Sequence, residues 1–162
     1  MKVAICTLCI NDWYQEIVKY GVQTIRDYAK RHNYDFHLCN DVYEEYNDPK
    51  KKNQSRDFPW YKILALQRIL PHYDVVLWID ADGFIMRPEL SIEHFLNMMG
   101  TKDILCTRDN NNPLNTAFLL VKNTPFVFCL LHQTWNNSEQ YDPAFHEQAS
   151  MGEIYNRNGL NS

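Results

Sequence analysis

Two patterns of apolar and polar positions alternate along this chain, and each change of pattern marks an element. Val3 to Cys9 and Val75 to Ile79 are unbroken apolar runs rich in β-branched residues, as expected of strands covered on both faces. Tyr34 to Cys39, Asp103 to Thr107 and Asn115 to Val121 predict three more strands. After Asn11-Asp12 the period becomes helical, from about Tyr14 to His32, with Ile17, Tyr20, Gly21, Thr24, Ile25 and Tyr28 as the expected packing face. Trp60 to Leu70 predicts a helix stopped by Pro71, with Ile63, Leu64, Leu66 and Leu70 inward. Ser91 to about Met99 predicts a short helix. Thr124-Pro125 opens another, running to about Trp135, and Asp142-Pro143 a last one, ending near Asn158 before Gly159. Strand, helix and strand within about forty residues form a βαβ unit with parallel strands. The expected fold class is therefore α/β: one Rossmann-like domain over residues 1–162, with a mostly parallel central sheet and helices on both faces. No Gly-x-Gly-x-x-Gly follows the first strand, which disfavours a dinucleotide-binding domain.

The sharpest break lies at the end of the apolar run Val75-Val76-Leu77-Trp78-Ile79, where Asp80-Ala81-Asp82-Gly83 begins. A strand buried on both faces excludes charge along its length, so Asp80 and Asp82 belong at the carboxyl edge of the sheet. That edge is where open α/β sheets bind ligands. Residues i and i+2 of an extended chain share a side, so both carboxylates can turn to one hard cation. The bland alternative is an acidic turn capping a strand. Lys62 interrupts an apolar stretch. It either snorkels to water or faces the carboxylates or a diphosphate.

Composition narrows the classes. The 162 residues are 45% hydrophobic and 22% charged with a net charge of −4, which describes a globular chain without a basic footprint for nucleic acid. An odd count of five cysteines, all in apolar segments, suits the cytoplasm or another reducing compartment. In Cys6-Thr7-Leu8-Cys9 a strand would point the two thiols to opposite faces, so shared metal or redox chemistry is not expected. No signal peptide and no membrane-length apolar run is visible. A Golgi lumenal fragment stripped of its anchor would read the same. Residues 40–58, with Lys50-Lys51-Lys52 and Arg56, read as a solvated loop or as a flap over an anionic ligand. Asn53-Gln54-Ser55 and Asn136-Asn137-Ser138 are formal glycosylation sequons and are read as chance.

Two carboxylates with no His-x-x-x-His and no usable cysteine cluster favour Mg²⁺ or Mn²⁺ over zinc. Such a cation typically shares its coordination with substrate phosphates and neutralises a diphosphate leaving group. The residues Trp60-Tyr61-Lys62-Ile63, then Tyr73-Asp74 running into the Asp80-Ala81-Asp82 motif, resemble the core of GT-A-fold glycosyltransferases. Within that fold the chain is most similar to the retaining galactosyl-, mannosyl- and xylosyltransferase family of fungi and plants. Asn115-Thr116-Ala117-Phe118 through Asn123 and Glu147-Gln148 match that family's later motifs in order. The resemblance implies a GT-A domain that uses a UDP- or GDP-sugar donor and a glycan or other hydroxyl acceptor. It implies that Asp82 and Asp80 hold the metal, with Asp80 also near the ribose, and that Ala81, between them, belongs to the donor site. Thr7 would hold the base through its backbone, Asn115 would lie beside the donor sugar, and Glu147 and Gln148 near the anomeric carbon or the acceptor. Lys62 would serve the diphosphate. Ala117 stands where the family carries glycine. The family's C-terminal histidine ligand has no counterpart after Glu153, which implies a truncated C-terminus, a substitute in water or His146, or lost activity. Were the reaction inverting, Asp109 or Glu147 could supply the base.

Two other readings stand beside this one. A catalytically inert nucleotide-sugar-binding module, or a subunit needing a partner, would carry the same motifs. The run Leu77 to Ile85 also fits the opening of haloacid-dehalogenase-like phosphatases, with Asp80 as nucleophile, Asp82 as acid/base and Thr107 on the phosphate. The oligomeric state is not legible in the sequence.

Overall fold

The computed structural model describes residues 1–9, 12–40, 58–108, 114–137 and 146–157. The elements are β1 (Val3–Thr7), α1 (Asp12–His32), β2 (Asp35–Leu38), α2 (Tyr61–Ile69), β3 (Val75–Ile79), α3 (Ile92–Met99), β4 (Ile104–Thr107), β5 (Asn115–Lys122), α4 (Pro125–Asn136) and α5 (His146–Arg157). Single 3₁₀ turns flank α2, the second carrying Pro71 as expected. The expected flap over residues 40–58 and the candidate Asp109 fall, apart from Asn40 and Phe58, outside the described residues. Among the described residues no helix is long and apolar enough to cross a membrane.

The strands form one sheet in the order β2-β1-β3-β5-β4. β1 pairs parallel with both β2 and β3, while β5 runs antiparallel to β3 and to β4. The sheet is thus mixed, with four strands in one direction and β5 against them. Alternation sorts the apolar runs onto two cores. Ala4, Cys6, Val76 and Trp78 pack toward α2, α4 and α5, whereas Val3, Ile5, Val75, Leu77 and Ile79 pack toward α1 and α3. Burial on both faces is why β1 and β3 read as continuous apolar sequence. Each fully buried Leu or Ile side chain there contributes about 1.5–3 kcal/mol.

The α1 face differs from the one its sequence suggests. Val18, Gly21, Ile25, Tyr28 and Ala29 are buried, while Ile17 and Tyr20 are more than half exposed. Gly21, Ile25 and Tyr28 are buried as expected, and Val18 and Ala29 join them in place of Ile17 and Tyr20. Asn33 ends the helix at φ 58, a positive value that asparagine tolerates better than most residues, and Gly100 ends α3 at φ 58 and ψ −124, which only glycine adopts readily. Thr124 caps α4, accepting from the Val127 N–H at 3.4 Å.

Candidate functional site

From β1 the chain crosses to β2 on one side and later reaches β3 on the other, so a switch point opens between the carboxyl ends of β1 and β3. A cleft of about 120 Å³ lies there, lined by Leu8 after β1, Tyr14 of α1, Phe58 and Lys62 around the start of α2, and Trp78 to Asp82 apart from Ile79. β3 delivers Asp80 to this edge, and the Asp80 N–H extends the ladder by one bond to the Ala117 carbonyl, at 2.9 Å. The Asp80 carbonyl then accepts the Gly83 N–H at 2.8 Å, closing a tight turn. This turn sits on α1. A Cβ at Gly21 would lie 2.6 Å from the Ala81 carbonyl oxygen and 2.7 Å from that of Gly83. Ala81 is buried among Cys9 and Val18, and the Ile85 N–H donates to Thr24 Oγ1 at 3.1 Å.

Behind the turn lies a buried charge network centred on Lys62, which is 4% exposed. Its ammonium meets Asp80 Oδ1 at 3.0 Å and Glu147 Oε1 at 2.9 Å, and donates to Thr116 Oγ1 at 3.1 Å. Thr116 Oγ1 donates to Glu147 Oε1 at 2.7 Å, and the Thr116 N–H donates to Gln148 Oε1 at 3.0 Å. Trp78 Nε1 donates to Asp80 Oδ1 at 2.6 Å. Burial alone would lower the Lys62 pKa, but the charges of Glu147 and Asp80 outweigh it and the net shift is upward. Tyr14, across the cleft, is pushed up to about 12, by burial first and then by the negative charges of Asp82 and Asp80.

Of the residues singled out by sequence, Lys62, Asp80, Ala81 and Asp82 line the cleft, while Glu147 pairs with Lys62 and Gln148 accepts from the Thr116 N–H. Lys62 faces the carboxylates rather than water. Asn115 opens β5, where its Oδ1 accepts from the Ala117 N–H at 2.9 Å. Thr7 is fully buried, its carbonyl accepts the Cys39 N–H at 2.8 Å, and Leu8 takes the place beside the cleft. His146 begins α5 at φ 46. Tyr14, Trp78 and Thr116 join the site without having been assigned a role in it by sequence. The signal for Thr116 was its place between Asn115 and Ala117. Tyr14 gave none, since it reads as one aromatic in a packing helix.

Lys62 and Trp78 both take Oδ1 of Asp80, which leaves Oδ2 without a polar partner among the described residues. Asp82 is exposed. Among the described residues no cluster of three or more His, Cys, Asp or Glu is present. Two carboxylates of this kind suit a hard cation that completes its shell with substrate phosphates and water.

Residues 25–154 match a family model described as "Protein of unknown function, DUF273". The chain belongs to this family. No curated protein matches it at a significant level. Among solved structures, this DUF273 chain is similar to the crystal structure of a glycosyltransferase involved in the glycosylation of the major capsid of PBCV-1. The TM-score is 0.73 at 14% sequence identity, covering 97% of this chain and 78% of the other. The DUF273 chain therefore has the fold of that glycosyltransferase.

Proposed function

We propose that this DUF273 chain is a metal-assisted glycosyltransferase that moves a hexose or pentose from a nucleotide-diphosphate sugar to an acceptor hydroxyl. The observation that carries this reading is the pair Asp80 and Asp82 at the mouth of the switch-point cleft, in a fold shared with a glycosyltransferase. Kinship with retaining galactosyl-, mannosyl- and xylosyltransferases belongs to the same proposal and rests on the order of the sequence motifs.

Asp82 and Oδ2 of Asp80 would hold Mn²⁺ or Mg²⁺. When bound, such a cation neutralises charge developing on a departing diphosphate. Lys62 fixes Asp80 Oδ1, so that carboxylate is oriented before any ligand arrives. It also holds Glu147 in place at 2.9 Å, and that carboxylate would be the group to stabilise positive charge at the anomeric carbon. Tyr14, protonated at neutral pH, offers a hydroxyl and an aromatic face on the opposite wall. The phosphatase reading is weakened by topology, because β5 separates Asp80 on β3 from Thr107 on β4.

Calorimetric titration with UDP- and GDP-sugars, with and without Mn²⁺, followed by product analysis, tests the assignment. Metal-dependent binding with transfer or donor hydrolysis is expected, together with at least a tenfold loss of affinity (about 1.4 kcal/mol) in Asp82→Asn. Metal-dependent binding without turnover would leave the inert module. Hydrolysis of a generic phosphomonoester would mean a phosphatase. No binding of either donor sinks the proposal.

A further inference from the structure

Side chains of β3 alternate between the two faces of the sheet, and Trp78 falls with Val76 on the face toward α2. Asp80, two residues on, keeps that direction and meets the Lys62 ammonium at 3.0 Å. Trp78 is buried, and its indole N–H donates to the same atom, Asp80 Oδ1, at 2.6 Å. A carboxylate oxygen has two lone-pair sites. On Oδ1 the indole fills one and the ammonium the other, while Oδ2 has no polar partner among the described residues. Lys62 is itself fully engaged. Its three donors meet Asp80, Glu147 Oε1 at 2.9 Å and Thr116 Oγ1 at 3.1 Å, and its Nζ lies over the Trp78 ring, 5.7 Å from the centroid.

We propose that Trp78 is a positioning residue: by holding Oδ1 it makes Asp80 a one-oxygen ligand, and so sets which cation the site accepts. The inference rests on the reading of Asp80 and Asp82 as a cation site. Mg²⁺ and Mn²⁺ favour octahedral shells in which a carboxylate supplies a single oxygen, and Oδ2 is placed to do that. Ca²⁺ collects about six to eight oxygens and often chelates through both oxygens of one carboxylate, which an occupied Oδ1 denies it. Trp78→Phe keeps an aromatic ring beneath the ammonium but removes the N–H, reopening one site on Oδ1 to a larger ion. Mere loosening of the acidic turn would weaken every divalent ion alike. Selectivity, not affinity, is therefore the signature of this role.

Electron paramagnetic resonance of free Mn²⁺, titrated into the full chain with Ca²⁺ as competitor, tests this without any sugar donor. The parent should bind Mn²⁺ roughly tenfold or more tighter than Ca²⁺, and Trp78→Phe should lose most of that margin. Trp13→Phe, whose indole is exposed on α1, should keep it. Should Trp78→Phe fail to fold, the parent answers through its indole N–H resonances. One of the four tryptophans should shift on saturation with Mg²⁺, because a cation on Oδ2 draws charge from the oxygen that the indole holds. The inference is overturned if the parent binds Ca²⁺ as tightly as Mn²⁺, if Trp78→Phe keeps the parental ratio, or if no indole resonance moves. A parent that binds neither ion sinks the cation site and this assignment together. A parent that prefers Mn²⁺ whatever stands at position 78 leaves the site in place and removes Trp78 from it.

Discussion

Lys62 places a charge where its four-carbon stem would ordinarily carry it out to water, and the reason it stays inside is its set of acceptors. Asp80, Glu147 and Thr116 satisfy its donors within 3.1 Å, which offsets the desolvation of a buried ammonium. Removing it would strand Glu147, which is only 2% exposed. Lys62→Met should therefore lose about 3–5 kcal/mol of stability and melt about 10 °C lower. Adding Glu147→Gln should recover part of that loss, because the stranded charge is then gone. Urea and thermal melts of the single and double variants check this. Equal stability of Lys62→Met and the parent would show that the network contributes nothing.

At the scale of elements, the acidic turn is positioned by α1, which meets it backbone to backbone at Gly21. Gly21 lets the carbonyls of Ala81 and Gly83 approach to distances that a Cβ cannot share. In an isolated helix, alanine would be favoured over glycine by about 1 kcal/mol. In this protein the contact is with backbone, which cannot swing aside, so Gly21→Ala should destabilise the fold by about 1–3 kcal/mol. It should also weaken donor binding by displacing Asp82. A Gly21→Ala protein melting above the parent would refute the account. With Gly21 against the turn, Val18 and Ala29 are buried beside it while Ile17 and Tyr20 stay exposed.

For the molecule as a whole, the raised phenol pKa values set the response to alkali. Burial raises Tyr14, Tyr34 and Tyr73 to about 12, against an ordinary value near 10. Lys62 also shifts upward. Groups raised in the folded state stay protonated there after the unfolded chain has released its protons. Their stabilisation is complete below about pH 10 and is lost as pH climbs through the folded values. Burial also raises the thiols of Cys6, Cys9 and Cys106 above their ordinary range, so urea midpoints should begin to fall at about pH 8.5, where unfolded thiols ionise, and keep falling to about 12. Tyrosine absorbance should titrate late over the upper part of that range, and a midpoint that stays flat to about pH 12 would contradict these assignments.

Sequence alone determined that β1 and β3 are buried strands, that β1, α1 and β2 form a βαβ unit, and that Asp80 and Asp82 emerge at a sheet edge. Those features follow from local periodicity and from the cost of burying charge. Tertiary structure decided the rest. It reversed β5 within the sheet, chose the face of α1, and brought Lys62, Thr116 and Glu147 together from three elements far apart in the chain. Each of those outcomes depends on which surfaces meet across the chain, and neither hydrophobic period nor residue type encodes a partner that distant.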